Sequence, residues 1–127
     1  MRRAVGGLVL LGLLAGLSGC REEPPHVLEA GGAYVVVGSD PDQGEDAAIV
    51  GEVELVGDCL GIDGDVVFWP RGTEVVSTDP VVIAVPDVGR VGIGDRVSGG
   101  GGEHEGRLTE PVVPATCPDG YVTFRAG

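Results

Sequence analysis

The hydrophobic residues of this chain fall into short runs of valine and isoleucine, which glycine, proline and aspartate separate. No stretch of useful length repeats apolar residues at the spacing of an amphipathic helix. Short β-branched runs between turn-forming residues are typical of the strands of a sandwich or a small barrel. We therefore predict an all-β fold, with strands at 49–56, 59–62, 65–69, 73–77, 81–85, 90–98 and 121–125.

The first of these strands shows the alternation most clearly, since Val53 and Leu55 share one face and two glutamates share the other. This pattern predicts one buried and one solvated face. Asp63 and Gly64 separate two apolar runs, and glycine supplies the positive φ that a two-residue hairpin turn requires. Closure of seven short strands into a barrel would remove their exposed edges. We predict a small OB-like barrel, with an open β-sandwich as the alternative.

Composition divides the chain into three parts. Residues 4–17 are 14 uncharged, mostly apolar residues. Two arginines precede them and small residues follow them, which is the pattern of an export signal. A helix of that length spans about 21 Å, short of the roughly 30 Å hydrocarbon core of a bilayer. We expect a signal peptide at 1–19. Residues 20–48 are rich in proline, glycine and acidic residues, which predicts a largely disordered tether with a possible strand at 33–37. The predicted β domain is 49–127.

The apolar segment closes on Leu17, Ser18, Gly19 and Cys20. These four residues resemble the lipobox of bacterial lipoproteins. The resemblance implies that the thiol of Cys20 receives a diacylglyceryl group, that the signal peptide is cleaved before it, and that the new amino terminus is often acylated, for example with palmitate. Two or more acyl chains, at about 0.8 kcal/mol per buried methylene, hold a protein stably to a bilayer. An extracytoplasmic protein anchored by lipid to the cell membrane or outer membrane is therefore expected.

The remaining cysteines fit this expectation by their number. Three cysteines in an exported chain leave an odd thiol, and lipidation of Cys20 leaves Cys59 and Cys117 as a pair. A disulfide between them would close a loop of about 59 residues, for which the chain-entropy estimate is roughly 4 kcal/mol. The alternative, a metal site built from two distant thiols, lacks a nearby second pair of ligands.

The chain is strongly acidic, with 20 Asp and Glu residues, eight arginines, no lysine and a formal net charge of −12. Loss of Arg2 and Arg3 with the signal would leave six arginines and a formal charge of −14. Nucleic-acid binding needs a cationic footprint, so that function class is close to excluded. An anionic membrane surface is an equally poor electrostatic partner. We attribute the acidity to solubility and to standoff from the bilayer, and an acidic site for cationic ligands is the alternative.

Three further stretches, at 51–60, 67–73 and 91–98, carry a second resemblance. The order of these stretches, and the glycines within and between them, are similar to the sequences of small, uncharacterised bacterial extracytoplasmic β domains. The resemblance covers most of the predicted domain and implies its fold and location. Those domains have no established activity, so the resemblance implies no catalytic residue.

Trp69, the single tryptophan, precedes Pro70 and Arg71. An aromatic ring beside a rigid proline can form an exposed platform for a sugar or a peptide, whereas more often it anchors a small core. Trp69 and Arg71 are therefore our candidate ligand contacts, and burial of Trp69 is the alternative.

Four glycines at 99–102 precede Glu103, His104 and Glu105. In a loop these three side chains could converge on a metal ion, although a solvated hairpin tip has the same composition. We treat them as weak metal candidates and predict neither a bound metal nor a cofactor.

The sequence offers no catalytic constellation. After the signal the serines are Ser39, Ser77 and Ser98, and none lies in a Gly-x-Ser-x-Gly elbow. A Walker-type phosphate loop needs a lysine, which the chain lacks. We expect a noncatalytic binding or structural module of the cell envelope, whose partner is an envelope protein or a small ligand. The alternative is a metal-binding or redox accessory protein.

Overall fold

The computed structural model describes residues 23–40 and 46–127. In those residues it contains no helix, and hence none that could cross a membrane. The predicted all-β fold is confirmed. The predicted signal peptide at 1–19 and the predicted lipidation site Cys20 lie outside the described residues. The strands are β1 His26–Ala30, β2 Ala33–Ser39, β3 Ala47–Val56, β4 Cys59–Ile62, β5 Asp65–Pro70, β6 Glu74–Thr78, β7 Val81–Val85, β8 Gly89–Gly92, β9 Arg96–His104 and β10 Tyr121–Ala126.

Seven strands form one sheet in the order β1-β2-β4-β3-β9-β10-β5, and β6, β7 and β8 form a second sheet. β4 also pairs with β5, so that five strands of the large sheet pair in a closed cycle. We call these strands the ring, and their order around it is β3, β4, β5, β10 and β9. Within the ring β5 and β10 are parallel, and the other neighbours are antiparallel. These pairings form a closed cycle of five strands, and the OB-like form of the barrel stays a prediction.

Two strands lie in the segment that composition assigned to a disordered tether. β1 and β2 form an antiparallel pair with His26 opposite Val37, and β2 runs parallel to β5 with Val36 opposite Phe68. The side chains of Val36 and Val37 are completely buried. The folded domain thus begins at β1 and not at residue 49. The possible strand predicted at 33–37 lies within β2, whereas β1 was not predicted, because prolines precede it and two glycines follow it.

The predicted strand at 90–98 is two strands. A turn separates β8 from β9. In this turn the backbone N–H of Asp95 donates to the carbonyl of Gly92 at 3.0 Å. The carboxylate of Asp95 in turn accepts the N–H of Gly92 at 2.8 Å. β8 consequently completes the three-stranded sheet, and β9 joins the ring.

The main core lies where the inner faces of the ring and of the three-stranded sheet meet. Trp69 and Phe124 pack edge to face in it, with ring centroids 5.8 Å apart. From the smaller sheet, β7 and β8 bury aliphatic side chains against the same cluster: Val81, Ile83, Val85 and Val91.

A second group of buried residues, which we call the outer cluster, lies on the other face of the ring. It joins side chains of β2, β3, β4 and β5 to the long connection at 105–120, and its buried members are Val36, Val56, Cys59, Val66, Val113 and Cys117. The predicted disulfide is confirmed here: Cys59 is bonded to Cys117, with Cα atoms 5.6 Å apart.

The four glycines at 99–102 lie inside β9 and pair with β10, and the first three of them also pair with β3. They are therefore strand residues, and the expectation that 99–105 forms an exposed loop is wrong. The strands come close together at this point: a Cβ atom on Gly101 would lie 1.8 Å from the carbonyl oxygen of Thr123. Glycine has little intrinsic preference for strands. Close approach of the backbone of β10, which composition does not reveal, explains Gly99 and Gly101.

Candidate functional site

The structure places Trp69 in the main core. Its relative exposure is 0%. Its indole N–H donates a hydrogen bond to the carbonyl of Leu60 at 3.3 Å, so the polar edge of the ring is satisfied inside the protein. Of the two alternatives that the sequence left open, Trp69 therefore takes core packing, and it offers no platform to a ligand.

Arg71 lies in the turn after β5 and is half-buried. Its backbone N–H donates to the carbonyl of Ser39 at 2.9 Å, which ties this turn to the end of β2. In the same turn, the hydroxyl of Thr73 donates to the carbonyl of Pro70 at 2.8 Å. Because Trp69 is enclosed, the two predicted ligand contacts do not share an accessible surface.

The weak metal candidates do not converge. Glu103 and His104 are neighbours on β9 and so point to opposite faces of the sheet. The imidazole of His104 stacks on the ring of Tyr121, with centroids 4.7 Å apart and an angle of 11° between the planes. Glu105 follows the end of the strand and is exposed. Across residues 23–40 and 46–127, no three His, Cys, Asp or Glu side chains are grouped so as to hold a metal ion.

Glu103 instead lines an open cavity of about 200 Å³ at one end of the ring. All five ring strands contribute to it directly, and the β4–β5 turn contributes Asp63. We call this cavity the acidic mouth, because three carboxylates surround an aliphatic floor. The carboxylates are those of Asp63, Asp65 and Glu103, and the floor is formed by Ile49, Ile62 and Val122.

Local contacts hold the carboxylate of Asp63 in place. Asp63 lies in the predicted turn with Gly64 and has a φ of 46°. One of its carboxylate oxygens accepts the backbone N–H of Glu52 at 2.9 Å. The carboxylate also covers Gly51, where a Cβ atom would come within 2.4 Å of it. The sequence predicted this turn. It did not predict that the Asp63 side chain packs over the neighbouring strand, although the glycine at position 51 of that strand indicated a close contact.

The acidic mouth is suited to a cation with an apolar stem. Carboxylates accept strong, charge-assisted hydrogen bonds from ammonium and guanidinium groups. The methylene stems of such groups pack well on aliphatic surface. As stated above, the three carboxylates do not form a metal-binding group.

A second open cavity, of about 230 Å³, lies against the three-stranded sheet and the turn that follows it. It brings together one cation and one carboxylate, Arg90 and Asp95, beside Val82 and Ile93. The carboxylate of Asp95 already accepts the N–H of Gly92, so this cavity offers less uncommitted charge than the acidic mouth.

Sequence reasoning missed the role of Arg107. Its guanidinium donates to the carbonyl of Cys117 and to the carboxylate of Asp119, both at 2.8 Å. It also donates to the carbonyls of Val113 and Pro114, at 3.2 and 2.5 Å. Arg107 thereby gathers the connection at 105–120 around the disulfide. A single arginine in an irregular segment gives no pattern from which this role could be predicted.

Comparison of the chain with protein-family models, with curated proteins and with solved structures found no match in any of the three. The resemblances to bacterial lipoproteins and to extracytoplasmic β domains therefore stay predictions.

Proposed function

We propose that this protein is a lipid-anchored, extracytoplasmic module of the bacterial cell envelope. In this proposal the Cys20 thiol carries the lipid, and the β domain binds an envelope component without catalysing a reaction.

The disulfide is the observation that carries this proposal. Cys59 and Cys117 are bonded and buried, with exposures of 0% and 1%. Structural disulfides persist in oxidising compartments outside the cytoplasm. The chain contains three cysteines, so this bond leaves Cys20 as the remaining one, in a sequence that resembles a lipobox.

The acidic mouth is the surface that we assign to the binding function. It is concave, its floor is apolar, and its carboxylates face solvent, which are the features of a site for part of a ligand. A lysine or arginine side chain of an envelope protein, or a small organic amine, matches this combination of groups.

No observation favours the alternative of a metal-binding or redox accessory protein. Reactive disulfides are exposed to their exchange partners, whereas both cysteines of this bond are buried. The predicted metal candidates Glu103 and His104 point to opposite faces of β9.

The lipid anchor can be tested in cells that express the full chain with a clickable palmitate analogue. We expect the protein to carry the label, to fractionate with membranes, and to lose both properties in Cys20→Ser. The Cys59→Ser, Cys117→Ser double variant is the matched control, because it removes two thiols and should keep the label. A full-length, unlabelled protein in the cytosolic fraction would refute the proposal.

A further inference from the structure

The start of the domain is fixed to one end of the ring, which we call the attachment end. Pro25 lies against Gly38, where a Cβ atom would come within 2.6 Å of the proline Cα. The next residue, His26, begins β1 opposite Val37 of β2. Ser39, at the end of β2, pairs with Pro70 at the end of β5. The chain therefore joins the domain beside the carboxyl end of β5.

The acidic mouth lies at the opposite end of the same strand. β5 begins at Asp65, whose side chain lines the mouth, and ends at Pro70. Five residue steps along a strand correspond to roughly 16 Å. The mouth and the attachment end are thus separated along β5 by about that distance.

The chain between the predicted lipid and the domain is short. Only residues 21–25 separate Cys20 from β1, instead of the longer tether up to residue 48 that composition suggested. Six Cα-to-Cα steps reach at most about 22 Å in any conformation.

From these three facts we infer that the domain stands directly on the bilayer surface, with its attachment end towards the lipid headgroups and its acidic mouth away from them. This inference rests on the proposed lipidation of Cys20. It deepens the proposed function, because it places the partner of the mouth on the side of the domain that is remote from the anchoring membrane.

Charge favours the same orientation. The three carboxylates of the mouth would be repelled by anionic headgroups, and this repulsion decays within about a Debye length of roughly 8 Å at physiological ionic strength. The attachment end is mixed in charge, since Arg71 lies there together with Asp40 and Glu74, whereas no cation lines the mouth. If the mouth faced an anionic bilayer, its carboxylates would lie within the range of the repulsion from the headgroups.

The orientation can be measured by energy transfer from a fluorophore on the protein to acceptor-labelled lipids at the vesicle surface. Glu74→Cys places the fluorophore four residues beyond Pro70, and Glu103→Cys places it at the mouth; both positions are exposed strand residues. The measurement uses proteoliposomes that contain the lipidated full chain and anionic lipid. We expect the energy-transfer efficiency from position 74 to exceed that from position 103 by about twofold or more. The reason is that position 103 lies farther from the bilayer surface by most of the roughly 16 Å length of β5.

The matched control is an insertion of 20 Gly and Ser residues between Glu23 and Pro24. A flexible insert of this length has a root-mean-square span of about 25 Å, so the difference between positions 74 and 103 should largely disappear. Glu23→Cys and Asp65→Cys form a second pair of labelling sites, should a substitution within β6 or β9 disturb folding.

The outcomes separate the two proposals. Equal transfer at the two positions in the unextended chain, or greater transfer at the mouth, would overturn the orientation while leaving the lipid anchor intact. Loss of the acyl label and of vesicle association would refute the proposed function itself. In that case the orientation falls with it.

Discussion

The main core and the outer cluster hold the same ring from its two faces by different means. In the main core, regular strands bring Trp69 and Phe124 together, and stabilisation comes from close packing of apolar side chains. In the outer cluster the covering segment is irregular, and a disulfide and the hydrogen bonds of Arg107 fix it. Regular strands pair their own backbone groups, whereas an irregular connection depends on covalent and side-chain links.

The largest effect should come from filling the closest strand contact of the main core. We expect Gly101→Val to destabilise the fold by more than about 4 kcal/mol, because its Cβ would collide with the backbone of β10. Urea unfolding followed by circular dichroism would measure this loss. Gly106→Val is the matched control, since no atom lies within 4 Å of a Cβ built there. Similar stability of the two variants would contradict the packing account of β9.

Removal of the central aromatic residue should come next. Trp69→Ala is expected to cost about 3–5 kcal/mol, the usual range for truncating a fully buried aromatic side chain. Trp69→Phe, which keeps most of the packing and loses the hydrogen bond to Leu60, should cost clearly less. A loss below about 1 kcal/mol for Trp69→Ala would instead indicate a surface role.

The outer cluster should respond to loss of its covalent link. The double variant Cys59→Ala, Cys117→Ala is expected to lose about 2–4 kcal/mol, because the bond joins positions 58 residues apart and restricts the unfolded chain. The difference between the main core and the outer cluster predicts a local effect on hydrogen exchange. Amides of 105–120 should lose more protection than those of β3 and β9, and uniform loss would show that the two clusters unfold as one unit.

The smallest of these effects concerns Arg107. Arg107→Ala should destabilise by about 1–3 kcal/mol, because hydrogen bonds from a charged group to carbonyls are stronger than those between neutral groups. As a comparison, Asp46→Asn weakens the exposed pair with Arg125 and should change stability by less than about 0.5 kcal/mol. Thermal melts of both variants test the ranking, and equal shifts would mean that Arg107 acts only as another surface charge.

Much of the fold could be predicted because short apolar runs and turn chemistry are local properties. The predicted alternation in β3 was only partly right, because Val53 is buried as expected whereas Leu55 is 46% exposed. The predicted strands at 59–62 and 81–85 match β4 and β7, and the Asp63-Gly64 turn joins β4 to β5. Pairing of Cys59 with Cys117 followed from the number of cysteines and the lipobox resemblance. These features need no knowledge of which strands become neighbours.

The errors concern features that depend on distant neighbours. The glycines of β9 form a strand because β3 and β10 lie close on either side. Trp69 is buried because distant strands pack around it, with Phe124 against its ring and the carbonyl of Leu60 accepting its N–H. The acidic mouth brings Asp63, Asp65 and Glu103 together only after the ring has closed. Of the predicted site residues, Glu103 alone lines the mouth, and it does so apart from His104 and Glu105.

The position of β10 in the ring has a consequence for biosynthesis. This strand, the last of the ten along the chain, joins β5 to β9 through its six residues. A chain emerging from the ribosome or a translocation channel therefore exposes one bare edge on each of those strands until β10 has emerged as well. Unpaired edges are where strands of different molecules associate, so a chaperone that shields nascent chains would be needed until β10 can pair with β5 and β9.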